Sequence, residues 1–244
     1  MSAKRLMRSL TKIVSVEWKL MLREPIGFIF ILLFPSLMAL LLGLQQADQQ
    51  VATARVLSFL GISPMVFGLM GFPITLVTYR ERGMLRRLRV TPLSPLLYLV
   101  AQALVGTVMV VLGGLLLVIV GLTMLRIAPP VQPLGVAVAF LLGTLAFIAI
   151  GSFLSSIITT VRGLQVASTI LFGGMMFALF VASSPDASPT VQTIAKWLPI
   201  EHMMRLVTGF WLPAAGTIAW ESVLVLLAFI GVSLLIAARF FRWD

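Results

Sequence analysis

Apolar runs at 25–44, 56–78, 96–125, 131–160, 164–182 and 217–238 take up most of this chain and decide what solvent it can fold in. A helix rises 1.5 Å per residue, so about 20 apolar residues cover the roughly 30 Å hydrocarbon core of a bilayer. Inside that core each backbone polar group needs a partner within the chain, and an α-helix supplies one. The reading is an all-α integral membrane protein with six transmembrane helices. The third and fourth runs are overlong, which predicts tilt or interfacial extension. The short turn over 126–130 makes those two helices antiparallel neighbours. Composition agrees: 60% of the residues are hydrophobic and 11% charged, where a soluble domain carries about 25% charged.

Net charge is +10, and its placement excludes nucleic acid as a partner. The cations gather beside apolar runs, without the interleaved aromatics on which bases stack. With the N-terminus inside, the basic residues of 4–23, 80–89, 162 and 239–242 share one side. The other side holds Arg55, Arg126, Lys196 and Arg205. That bias puts both termini in the cytoplasm and requires an even number of spans. A basic start followed by an apolar run is also how a signal peptide begins. Charge persists to Glu24, however, and no small-residue cleavage site follows Leu44, so the N-terminal segment is expected to stay.

The chain divides into residues 1–24, an amphipathic interfacial helix, and 25–244, one six-helix membrane domain. On a helical wheel Arg5, Arg8, Lys12, Ser15, Lys19 and Arg23 share a face, with Leu6, Leu10, Ile13, Val14 and Met21 opposite. Such a helix lies in the head-group plane of membrane lipid. Glu17 falls on the apolar face, where it either snorkels or pairs with an arginine of another cytoplasmic segment. Residues 183–215 form the longest polar interval and are expected outside, with short helices at 191–197 and 201–211. Trp197, Trp211 and Trp220 suit the head-group belt.

Catalytic signatures are missing. The sequence has no G-x-S-x-G, no H-E-x-x-H and no G-x-x-x-x-G-K-[ST] phosphate loop, and its eight acidic residues are scattered. No catalytic, metal or cofactor-binding residue is expected. Cysteine is absent and His202 is the sole histidine, which excludes thiolate and His-based metal clusters. Glu201 beside His202 is no acid–base pair, because adjacent helical residues point about 100° apart; interfacial polarity accounts for both. A transporter driven by an ion gradient needs an ionisable group at mid-depth. Here the charged residues fall in loops, in the N-terminal helix or near span ends. Energy for any active transport therefore enters from outside the lipid.

Residues 79–95, Tyr-Arg-Glu-Arg-Gly-Met-Leu-Arg-Arg-Leu-Arg-Val-Thr-Pro-Leu-Ser-Pro, are where it could enter. Read as one short helix over 80–90, they put Met84, Leu85 and Leu88 on one arc and Arg82, Arg86 and Arg89 on the next. Pro92 and Pro95 bound it. Such a helix suits a docking surface, with apolar knobs and charges that set register. Topological anchoring by cations alone explains the charges equally well.

The stretch from Glu81 to Ser94 resembles the signature of the type-2 ABC (ATP-binding cassette) transporter permeases, and within them the daunorubicin-resistance-type drug exporters. Their pattern runs roughly E-R-x-x-G-T-L-x-x-L-x-x-T-P-L between the second and third of six spans. This chain departs in a shorter spacing before Gly83 and in Met84 where Thr is usual. The layout of the whole chain matches too, and 198–209 is similar to the family's Leu-Pro…Arg-Gly outer segment. The resemblance implies a permease subunit of an exporter in the bacterial cytoplasmic membrane, without an ATPase site of its own. It implies two separate ATPase subunits that bind ATP and Mg and dock on a coupling helix, Arg80–Val90 here. It further implies a second permease subunit, expected to be identical. Gly173, Gly174 and Ala178 in the fifth span are candidates for the seam between the two, since small residues allow close helix approach; packing within one subunit explains them as well. Met175 and Met176 beside them either line an adaptable apolar path or face lipid. The expected cargo is a hydrophobic or amphipathic molecule, whether drug, antibiotic or lipid-like. A non-transporting membrane scaffold or assembly factor is the alternative, and it leaves the 82–95 motif without a purpose.

Overall fold

The computed structural model describes residues 11, 13–19, 23, 29–45, 48–84, 95–182, 188–212 and 219–240; among these it is helical with no strand. Eight helices follow the N-terminal helical residues 13–19: α1 (Ile29–Gly43), α2 (Gln49–Glu81), α3 (Pro95–Thr123) and α4 (Pro133–Ile157), then α5 (Val161–Phe177), α6 (Pro189–Ala195), α7 (Pro199–Trp211) and α8 (Trp220–Phe240). A wide π turn, Ala178–Ala182, carries α5 onward. Helices α2, α3, α4, α5 and α8 are long and apolar enough to cross a membrane, whereas α1 is a shorter apolar helix. The sixth expected span, 25–44, thus appears as α1 over its described part, with 24–28 outside the described residues.

Helix α2 is longer than the apolar run that announced it. Asp48 caps its start, its carboxylate accepting from the Gln50 N–H at 2.7 Å, and so satisfies one of the free donors of the first turn. The polar stretch Gln49–Arg55 is thereby helical. Further along, a π turn at Val66–Gly71 precedes Pro73. Proline removes a backbone donor from a helix, and a wide turn is one way to absorb the misfit. In α1 the same pairing occurs: a π turn at Ile29–Leu33 precedes Pro35. Pro35 cannot donate to the Ile31 carbonyl four residues back, and the Ser63 hydroxyl of α2 donates to it at 2.6 Å.

Helix α4 sits at the centre, against α2, α7 and α8; α1 packs between α2 and α3, and α5 lies along α2. Lipid tails are as apolar as leucine, so close packing rather than escape from water holds such helices together. At the α2–α4 crossing Gly68 and Gly151 let the backbones meet. A Cβ on Gly68 would strike Phe147, and one on Gly151 would strike the Gly68 carbonyl. The expected α3–α4 pairing is present, with Phe140 against Gly114, but each helix turns most of its buried face elsewhere.

Candidate functional site at the helix ends

The bundle sorts its cations by end. At one end lie Arg80 and Arg82 at the close of α2, Arg162 at the start of α5 and Arg239 at the close of α8. At the other lie Arg55 near the start of α2, Arg126 in the α3–α4 turn, Lys196 after α6 and Arg205 in α7. The contacts fix which ends coincide: Glu81 meets Val161, whereas Gln49 meets Arg126 and Trp211 meets Ala128.

At the first end the guanidinium of Arg80, 9% exposed, forks across two carbonyls that finish α4. One nitrogen donates to Ser155 at 3.0 Å and the other to Ile158 at 2.9 Å. The next residue, Glu81, turns to the helix that follows, its Oε1 accepting from the Val161 N–H at 2.8 Å. Thr160 caps the same helix start through its hydroxyl, which accepts from the Gly163 N–H. A cation at a helix C-terminus and a carboxylate at an N-terminus both match the helix dipole. Two consecutive side chains of α2 thus close the ends of two other helices.

Beyond Glu81 the chain turns at Arg82–Gly83, with Gly83 at φ 66°. Arg80 and Glu81 therefore finish a span, and the turn parts them from the docking stretch with which the sequence grouped them. Arg82 and Met84 are exposed; Leu85, Arg86, Leu88 and Arg89 lie outside the described residues. The stretch leaves from a closed root, because Tyr79 before it and Tyr98 after it stack at 5.5 Å in a tilted pair. Glu17 of the N-terminal helical residues is buried and faces the Tyr98 hydroxyl, a place that its position on the apolar face did not reveal. Lys19 and Arg23 are exposed, and Arg8 and Lys12 lie outside the described residues.

The opposite end is closed by α7. Its residues Ile200, Met203, Val207 and Trp211 are buried, and Gly143 of α4 makes room for Met203. Trp211, expected among the head groups, is instead 1% exposed and donates its indole N–H to the Ala128 carbonyl at 3.0 Å. Trp197 and Trp220 are exposed as a belt requires. His202 is not an interfacial polar group either: it is buried, with Nδ1 3.1 Å from the Ser222 hydroxyl of α8. Burial first, and the Arg205 guanidinium second, hold its imidazole below the usual value. Glu201 pairs with Arg205 at 3.7 Å.

In α5, Gly173 and Gly174 face open space. Ala178 does not join them, being 4% exposed, and Met175 is also buried within the subunit. The candidate seam is thus two glycines rather than three small residues. Among the described residues no group of three His, Asp or Glu could hold a metal ion.

Residues 8–212 match the family model described as ABC-2 type transporter. No curated protein matches the chain.

Proposed function

We propose, from the premise that the chain belongs to the ABC-2 type transporter family, that it is the permease subunit of an ATP-driven exporter. Two ATPase subunits dock on the segment that leaves α2 after Gly83, and a second copy of the permease completes the path. The cargo is hydrophobic or amphipathic, of the drug, antibiotic or lipid-like kind that the daunorubicin-resistance-type branch moves. The observation that supports this most is the family match, which spans the docking motif and most of the bundle. Placement supports it too. The motif departs from the end that gathers Arg80, Arg82, Arg162 and Arg239, the end that the inside rule assigns to the cytoplasm.

Met84, Leu85 and Leu88 supply the buried part of the dock; Arg82, Arg86 and Arg89 set its register. Like-charge juxtaposition at an interface costs several kcal/mol, and an unpaired charge in an apolar contact costs more. Arg86→Glu should therefore weaken ATPase association far more than Arg126→Glu at the opposite end, and Leu88→Asp should abolish it. Co-purification with a phosphate-loop ATPase, followed by ATP turnover in lipid, measures this. Normal association in both docking variants would leave the segment as a topology anchor alone. Orientation has its own check in a chain without cysteines: impermeant maleimide applied outside should label a cysteine at 128 but not at 86.

A further inference from the structure

We propose that Arg80 and Glu81 are positioning residues that carry movement of the docking segment into the α4–α5 turn. The inference rests on the docking role just proposed. It begins from an oddity of the connections: α4 and α5 are consecutive in the chain, yet the groups closing their ends come from a third helix. Arg80 takes the Ser155 and Ile158 carbonyls that α4 leaves free, and Glu81 takes the Val161 N–H that Thr160 leaves to it. The partners are 75, 78 and 80 residues away in sequence. Helix ends can be closed by water or by their own flanking residues. Borrowing both closures from α2 makes the turn move with α2.

The position of the pair tells what it would transmit. Arg82, which sets the register of the dock, follows it directly, and Met84, the first of the dock's apolar residues, lies just past the Arg82–Gly83 turn. The Tyr79–Tyr98 stack holds the root of the docking segment together. A push on that segment is therefore taken up at the close of α2, and from there two directed contacts lead to the start of α5. Arg80 suits the task by its planar fork, which spans two carbonyls at once; a lysine ammonium is a single point of attachment. Glu81 is exposed, so replacing it tests the link without disturbing the core.

The test compares wild type, Arg80→Gln, Arg80→Lys and Glu81→Ala in nanodiscs, following amide exchange over residues 158–164. Each is measured alone and with the ATPase, with and without non-hydrolysable ATP. Alone, Glu81→Ala should speed exchange there by about tenfold, the factor given by losing one hydrogen bond of ordinary strength, and Arg80→Gln, which loses two, by at least as much. In the complex both should bind ATPase as wild type does but lose the nucleotide-dependent change at 158–164. Arg80→Lys should keep part of it. A merely structural role would lower stability and leave that change in place. The proposal is overturned if either variant binds ATPase and responds to nucleotide in full, or if wild type binds it and shows no response at 158–164. If no ATPase binds wild type, the proposed function falls instead. The exchange of the permease alone then decides: faster in both variants upholds the link, unchanged in either refutes it.

Discussion

Where α2 meets the α4–α5 turn, the joining is done by two charged side chains on backbone groups; where α7 meets α4 and the turn before it, Met203 packs against Gly143 and the buried Trp211 adds hydrogen bonds to that turn. The two closures differ in what they permit. Directed hydrogen bonds hold a few atoms at fixed separation while the surrounding surfaces slide. A packed aromatic has many contacts and no sliding coordinate, since interiors are close-packed and yield little. The first end thus hangs on a few directed contacts, whereas the second adds close packing to them.

Truncating the packed end should give the largest effect. Trp211→Ala removes a buried aromatic and the donor to Ala128, and such changes cost about 3–5 kcal/mol. The midpoint of thermal unfolding in detergent should fall accordingly, and Trp211→Phe should restore part of it. A negligible shift would mean that α7 is not a packed plug. Next comes the charged end. Arg80→Gln leaves the Ser155 and Ile158 carbonyls short of a donor, at about 2 kcal/mol for the pair of contacts, so its midpoint should fall less than that of Trp211→Ala. The reverse order would erase the contrast between the ends.

The smallest effect is a pH dependence confined to the α7 end. Burial and Arg205 lower the His202 pKa from its ordinary 6.5, against a hydrogen bond to the Lys196 backbone and the charges of Glu221 and Glu201. Below 6.5 the unfolded chain takes up a proton that the folded chain refuses, so stability present at neutral pH drains away on acidification, down to the lowered folded value. Unfolding midpoints between about pH 7 and about pH 5 should fall more steeply in wild type than in His202→Gln. Equal slopes would show that His202 does not titrate against a buried contact.

Hydropathy alone revealed most of the bundle, because a span must be apolar along its whole length. It misjudged α2 at the start, where Gln49–Arg55 is polar and the helix depends on the Asp48 cap. Nor did it disclose the π turn before Pro35 in α1, since π turns and prolines are not visible to a count of apolar residues. For α7 the signal was present and unused: Ile200, Met203, Met204, Val207 and Trp211 recur at helical spacing, and that pattern marks a face for burial. Polarity at Glu201, His202 and Arg205 hid it. At the charged end the sequence led to the right neighbourhood and the wrong grouping. Arg80 and Glu81 read as part of a docking helix because nothing local discloses backbone partners 75, 78 and 80 residues onward. In α5, Gly173 and Gly174 fall off the buried line of Leu164, Ser168 and Met175, whereas Ala178, three residues past Met175, continues it.

The backbones of α2 and α4 touch where Gly68 meets Gly151, and a tilt of α2 about that contact would divide the helix into two arms. At 1.5 Å per residue the arm from Gly68 to Glu81 is about 20 Å and the arm to Gln49 about 28 Å. Were α2 to tilt about that crossing, a displacement at Glu81 would emerge at Gln49 reversed in direction and enlarged by about 1.4, the ratio of those arms. Two residues without side chains would then set the gearing of the molecule, and any residue larger than glycine at either would seize it.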